Sequence, residues 1–197
     1  MKTFTKTTIT EAPRLVIRYD ESPESPREWS NLGFFITQDR NYNSPDNHPD
    51  FMEIIKETAD EASDCQDHMK RIKKEIEYRL GEKVLAIYPM VKYEHSGVVY
   101  SRGEKHGFDY SNNGFYIITE ASQKEIGTEP KDFEKVIDGE IELYNKWCNG
   151  EVYGYVLYNE NGDRIDSCWG FYDIEDIREN LPEEWKDEDL DDYLINE

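Results

Sequence analysis

EVYGYVLYNENGDRIDSCWGFY, residues 151–172, consists of two runs rich in aromatic and β-branched residues, one on each side of Asn159–Asp163. Asn161-Gly162 between such runs is a strong hairpin signal, because both residues accept the backbone twist that a tight antiparallel turn imposes. Residues 151–158 and 164–172 are therefore expected to pair as antiparallel strands. That hairpin sets the sheet type for the chain.

The same grammar recurs upstream. Residues 84–93, VLAIYPMVKY, and 97–102, GVVYSR, flank a turn at Glu94–Ser96. RLVIRY at 14–19, LGFFIT at 32–37 and GFYIIT at 114–119 read as further strands. Residues 20–31 form a loop stiffened by Pro23 and Pro26, and residues 38–49 are rich in turn formers.

Two stretches carry helical periodicity. In residues 50–80, Phe51, Ile55, Thr58, Ala62, Cys65, Met69, Ile72, Ile76 and Leu80 keep to one face. Pro49 suits the first helical position and Gly81 the stop. A break near Ser63–Asp67 would make two helices of the run. In residues 130–148, Phe133, Ile137, Ile141, Tyr144 and Cys148 line one face. Thr119 or Ser122 is placed to cap a short helix ending at Gly127. Strands with short links and helices in separate blocks predict an α+β fold. The expected architecture is an antiparallel sheet of about five to seven strands on one long and one shorter helix. Residues 1–172 are expected to form a single domain, with an acidic, helical carboxy-terminal appendage at 173–197.

The chain has 44 Asp and Glu against 23 Lys and Arg, a net charge of −21. Such an excess repels itself and destabilises the compact state, and solubility needs only about 2–8 charges in a small domain. It points to a basic partner surface, a cation or a saline environment. Direct nucleic-acid binding is disfavoured, because the overall field repels phosphates and the basic cluster Lys70–Lys74 is local. Aromatic residues at 13% argue for a packed core. No apolar run approaches the roughly 18 residues of a membrane span, and the start, MKTFTKTTIT, lacks the apolar stretch of a secretory signal. Three scattered cysteines fit a reducing cytoplasm.

Candidate chemistry is sparse. Glu53, Glu57, Asp60, Glu61 and Asp64 recur three or four residues apart, about 5–6 Å along a helix, a scale comparable to the phosphates of a DNA strand. In the tail, Glu183, Glu184, Asp187, Glu188, Asp189, Asp191 and Asp192 extend the acidic set, with Trp185 and Tyr193 as exposed aromatic anchors. The tail acids lack the spacing of a calcium loop, and the four histidines lack zinc spacing, so neither a metal nor a cofactor is expected. The phosphate-binding glycine motifs are absent. His95, Asp166 and Cys168 supply the residue types of a thiol nucleophile with base and orienter. Asp166 and Cys168 alternate onto one strand face with Gly170, while Ile165, Ser167, Trp169 and Phe171 take the other. Cys65 and Cys148 sit on apolar helix faces and read as core.

Ser25-Pro26-Arg27-Glu28-Trp29-x-Asn31-Leu32-Gly33, His95-Ser96-Gly97, Gly114-Phe115-Tyr116-Ile117, Val152-Tyr153-Gly154 and Asp166-Ser167-Cys168-Trp169-Gly170-Phe171-Tyr172 give a further signal. In their order, these motifs resemble a family of uncharacterised proteins of phages and conjugative elements. The similarity spans residues 14–172 and leaves the acidic tail outside. The family has no established activity, so no catalytic role carries over. What the resemblance implies is a context, a mobile element acting in a bacterial cytoplasm, where acidic proteins that mimic DNA are a recurring strategy.

Taken together, these readings favour a non-enzymatic anti-defence protein that binds a basic surface of a host nucleic-acid-binding or defence protein. The alternatives are an enzyme built on His95, Asp166 and Cys168, and a regulatory module for a peptide or small molecule.

Overall fold

The computed structural model describes residues 14–39 and 43–195. The start, MKTFTKTTIT, and part of the turn-rich 38–49 segment lie outside the described residues. In chain order the elements are β1 (Arg14–Tyr19), β2 (Phe34–Thr37), α1 (Pro49–Ala59), α2 (Cys65–Arg79), β3 (Val84–Glu94), β4 (Val98–Arg102) and β5 (Tyr110–Thr119). They continue with α3 (Glu120–Ile126), α4 (Phe133–Cys148), β6 (Tyr153–Tyr158), β7 (Arg164–Phe171) and α5 (Ile174–Arg178). The fold is α+β. Among the described residues seven strands form two antiparallel sheets, ordered β1-β6-β7 and β2-β5-β3-β4, rather than one.

The described residues divide into two compact units, a larger one within 25–149 and a smaller one of residues 14–24 with 150–195. This differs from the expected domain 1–172 with an appended tail. The physical reason lies in the pairing of β1 with β6, Arg14↔Tyr158 through Tyr19↔Tyr153, which brings the amino-terminal strand to the hairpin.

In the smaller unit, Leu15, Ile17, Tyr155 and Leu157 present one sheet face, and Ile177, Leu181 and Leu190 cover it. The residues after Asp173 thus supply half of a core. Their backbone also closes on β1, where Ile195 N donates to Ile17 O at 2.9 Å. The hairpin pairs as expected, from Tyr153↔Phe171 to Tyr158↔Arg164. Its turn is wider than a two-residue one. Asn159 N donates to Asp163 O at 2.9 Å, and the Asn159 side chain accepts from the amides of Asn161 and Asp163, each at 2.9 Å. One face assignment changes. Gly154 pairs with Trp169 and Tyr153 with Phe171, so Gly170, at φ +86°, is an extra residue in β7. Such a bulge favours glycine, and it turns Phe171 onto the apolar face with Tyr155.

The larger unit has three layers. β5 lies inside its sheet, and Phe115 through Thr119 are all buried. Phe115 and Ile117 face Phe51, Ile54 and Ile55 of α1 and Ile72 and Ile76 of α2. Tyr116 and Ile118 face Phe133, Ile137, Ile141 and Tyr144 of α4. A strand covered on both sides reads as an unbroken apolar run, which explains GFYIIT. The 50–80 run forms two helices. Asp64 starts the second by accepting from Asp67 N at 2.8 Å, an N-cap that satisfies a free helix amide. Thr119 caps α3 in a reciprocal box with Ser122, and Gly127 ends it.

Candidate functional site

The two acidic sets have different fates. On the helical pair only Glu53 and Glu57 belong to α1; Asp60 ends that helix, Glu61 lies in the turn and Asp64 is a cap. The stiff row of five carboxylates on one helix is therefore not formed. Two of the five are also neutralised. Arg79 Nη1 meets Glu57 at 2.6 Å, and Arg71 Nη1 meets Glu61 at 2.9 Å. Arg71 also binds Asp67, whose carboxyl it holds below the usual range.

The tail set is held differently. Arg178 clamps the segment: its Nε and Nη2 bind Glu175 at 2.7 and 3.0 Å, and its Nη1 donates to the carbonyls of Lys186 and Glu188. A 3-10 turn at Glu183–Trp185 and another at Leu190–Tyr193 are fixed from below by Leu181 and Leu190, which are buried. Trp185 and Tyr193 were expected as exposed anchors. They are half-buried instead, packed edge to face at 5.5 Å against the same core. Glu188 accepts from Tyr193 Oη at 3.1 Å, and Asp189 caps the last turn. Glu183 pairs with Lys186 at 3.1 Å. Glu184, Asp187, Asp191 and Asp192 are exposed, and among the described residues none is ion-paired. The outcome is a carboxylate surface whose backbone is pinned by apolar side chains and one arginine.

The thiol constellation is divided by unit. Asp166 and Cys168 lie in β7, whereas His95 belongs to the larger unit, as do all four histidines. Asp166 accepts from Tyr155 Oη at 2.9 Å and from Ser167 N at 2.8 Å. It therefore positions Tyr155. Cys168 is exposed. Among the described residues no group of three His, Cys, Asp or Glu side chains is placed to hold a metal ion.

The sequence reading missed Arg27. It sits after a 3-10 turn start capped by Ser25, in a loop of polar residues, yet it is buried. Its five N–H groups are all used. Nε and Nη2 bind Asp46 at 3.0 and 2.6 Å, and Nη2 also binds Gly33 O at 2.7 Å. Nη1 binds Asn31 Oδ1 at 2.9 Å and Glu140 Oε2 at 3.0 Å. Glu140 in turn accepts from Leu32 N at 2.8 Å and from Tyr116 Oη, and Tyr116 Oη accepts from Gly33 N at 3.0 Å. Burial, then the field of Glu140, pushes the Tyr116 phenol well above its usual range. This satisfied network explains why Arg27, Asn31 and Gly33 stand together. The residues next to it, Glu28, Trp29 and Ser30, are exposed on the rim of a groove. The only signal in the sequence was a tryptophan in an otherwise polar loop.

No protein-family model, curated protein or solved structure matches the chain. No helix among the described residues is long and apolar enough to cross a membrane.

Proposed function

We propose that this chain is a non-enzymatic binding protein that occupies the basic surface of a nucleic-acid-handling or defence protein in a bacterial host. Carboxylates of the tail stand where phosphates would. The observation that carries the reading is the pinned acidic segment. Seven of the ten residues from Glu183 to Asp192 are Asp or Glu, and Leu181, Leu190 and Arg178 hold their backbone in place. Ordering these groups before binding removes an entropy cost that a loose acidic tail would meet at the interface. A fixed negative field also steers a basic partner and raises its on-rate. The helical-pair acids contribute less, because Arg71 and Arg79 cancel part of their field. The bacterial, mobile-element context comes from the motif resemblance.

The test is affinity capture from bacterial lysate at low salt. The bait is the chain or its Glu183→Gln, Glu184→Gln, Asp187→Asn, Asp191→Asn, Asp192→Asn variant. The reading expects a nucleic-acid-binding protein that only the parent retains and that duplex DNA displaces. Equal retention by the variant, or no competition by DNA, overturns it.

A further inference from the structure

A groove of about 870 Å³ opens in the larger unit beside Arg27. That volume is in the range of ligand sites, roughly 300–1,000 Å³, and holds a long side chain with part of its backbone. Its walls combine aromatic rings with carboxylates: Trp29, Tyr144 and Trp147 on the one hand, Glu28, Asp46 and Glu125 on the other.

Local structure explains the rim. The 3-10 turn Pro26–Glu28 sends Pro26 and Arg27 inward and leaves Glu28, Trp29 and Ser30 outside. Ser30 Oγ donates to Glu125 Oε1 at 3.1 Å, which brings the loop and α3 together at one side of the groove. Trp29 remains 43% exposed, and Tyr144 stacks on Trp147 at 5.6 Å. Among the described residues of the lining Arg27 is the one lysine or arginine, and its N–H groups are all taken by Asp46, Glu140, Asn31 and Gly33. It has no donor left for an anionic guest. The groove therefore offers carboxylates and π faces, a combination that suits a cation. A guanidinium fits better than an ammonium, because it is planar, stacks on indole and bonds a carboxylate at two points.

We propose that this groove receives an arginine side chain of a polypeptide partner, its guanidinium taken by Glu28 and Glu125 and by the indole face of Trp29. The choice of a polypeptide source rests on the proposed function, which calls for a basic protein; the cation chemistry rests on the groove alone.

The experiment is a titration of the full chain, followed by tryptophan fluorescence and calorimetry. The probes are N-acetyl-arginine amide, its neutral isostere N-acetyl-citrulline amide, inorganic phosphate, and a seven-residue peptide with one central arginine. Arginine amide is expected to bind at least about tenfold more tightly than citrulline amide, with the peptide tighter still. Trp29→Ala and Trp29→Phe test the ring, and Glu125→Gln tests the carboxylate. Trp29→Ala and Glu125→Gln are each expected to weaken arginine binding about five- to tenfold, as cation–π and ion-pair contacts at a partly exposed site do. Trp29→Phe is expected to fall between Trp29→Ala and the parent. Equal binding of citrulline, preference for phosphate, no binding of arginine amide, or unchanged affinity in Trp29→Ala and Glu125→Gln overturns the site. Free arginine amide binding as tightly as the peptide overturns the polypeptide source. The tail-neutralised variant should bind arginine amide like the parent; a loss there would show only diffuse attraction to the acidic surface and overturn the groove. A failure of DNA to displace a captured partner would count against the proposed function and leave these titrations standing.

Discussion

The indole ring of Trp169 covers Gly154, its partner across the β6–β7 ladder, so closely that a methyl group at 154 would collide with it. Val152-Tyr153-Gly154 and Cys168-Trp169-Gly170 are thereby one packing unit, with Gly154 admitting the ring and Gly170 providing the bulge. Gly154→Ala should destabilise the smaller unit by about 1–3 kcal/mol, the usual cost of overpacking. Denaturant unfolding followed by Trp fluorescence checks this. An unchanged midpoint would show that the ring swings away freely.

Arg27 predicts a larger effect in the other unit. Asp46 and Glu140 are 13% and 16% exposed, and Arg27 compensates both. Arg27→Met leaves two nearly buried carboxylates without their cation. Breaking such a pair costs roughly 3–5 kcal/mol. Arg27→Lys should recover part of the loss, since one ammonium cannot replace five directed donors. Thermal unfolding of the two variants should rank Met below Lys and both below the parent.

The cysteines should separate by reactivity. Burial, helped by Glu104, pushes the Cys65 thiol up to about 11, and burial pushes Cys148 up to about 11. Thiolate is the reactive form, so both should resist alkylation. Cys168 is exposed and should be modified first by iodoacetamide at pH 8. Mass spectrometry of the partly labelled protein reads the order directly. Labelling of Cys65 or Cys148 before Cys168 would contradict this placement.

Alkaline pH should unfold the chain through its tyrosines. Burial, with Asp166, pushes Tyr155 up to about 12, and burial, with Glu24, pushes Tyr172 up to about 12. Burial drives Tyr116 and Tyr144 higher still. The folded state thus holds these protons more tightly than the unfolded chain, whose tyrosines titrate near pH 10. By linkage the contribution to stability is full below about pH 10 and is lost as pH rises toward 12. Tyrosinate absorbance should rise together with loss of circular dichroism. A smooth titration completed before unfolding would contradict it.

What the sequence revealed follows from how local each feature is. The 151–172 hairpin is set by neighbours in the chain, and its strands pair as read. The cap at Thr119 and the stop at Gly127 are equally local. Two sheets in place of one depend on β1 finding β6 across most of the chain, and alternation within a strand says nothing about its partner. The 50–80 periodicity continues across the Asp60–Asp64 turn, because the two helices bury their faces against the same core. The burial of Arg27 was not legible, since the carboxylates that bind it come from residues 46 and 140. The tail acids were visible as charge. Trp185 and Tyr193 were misread as exposed, because an acidic segment gives no sign that its aromatics meet a sheet.

The central claim is that the tail carboxylates, rather than those of the helical pair, engage the partner. The direct measurement is the Kd of the captured partner, against salt, for three proteins. These are the parent, the five-site tail variant described above, and a variant with Glu53→Gln, Glu57→Gln, Glu61→Gln and Asp64→Asn. Exposed charges are screened beyond about 8 Å at physiological ionic strength, so affinity carried by them must fall as salt rises. The account predicts that the tail variant loses most of the affinity and most of the salt dependence, while the helical-pair variant stays close to the parent. Unchanged affinity and an unchanged salt slope in the tail variant would contradict it and leave the acidity of this chain as a solvated surface.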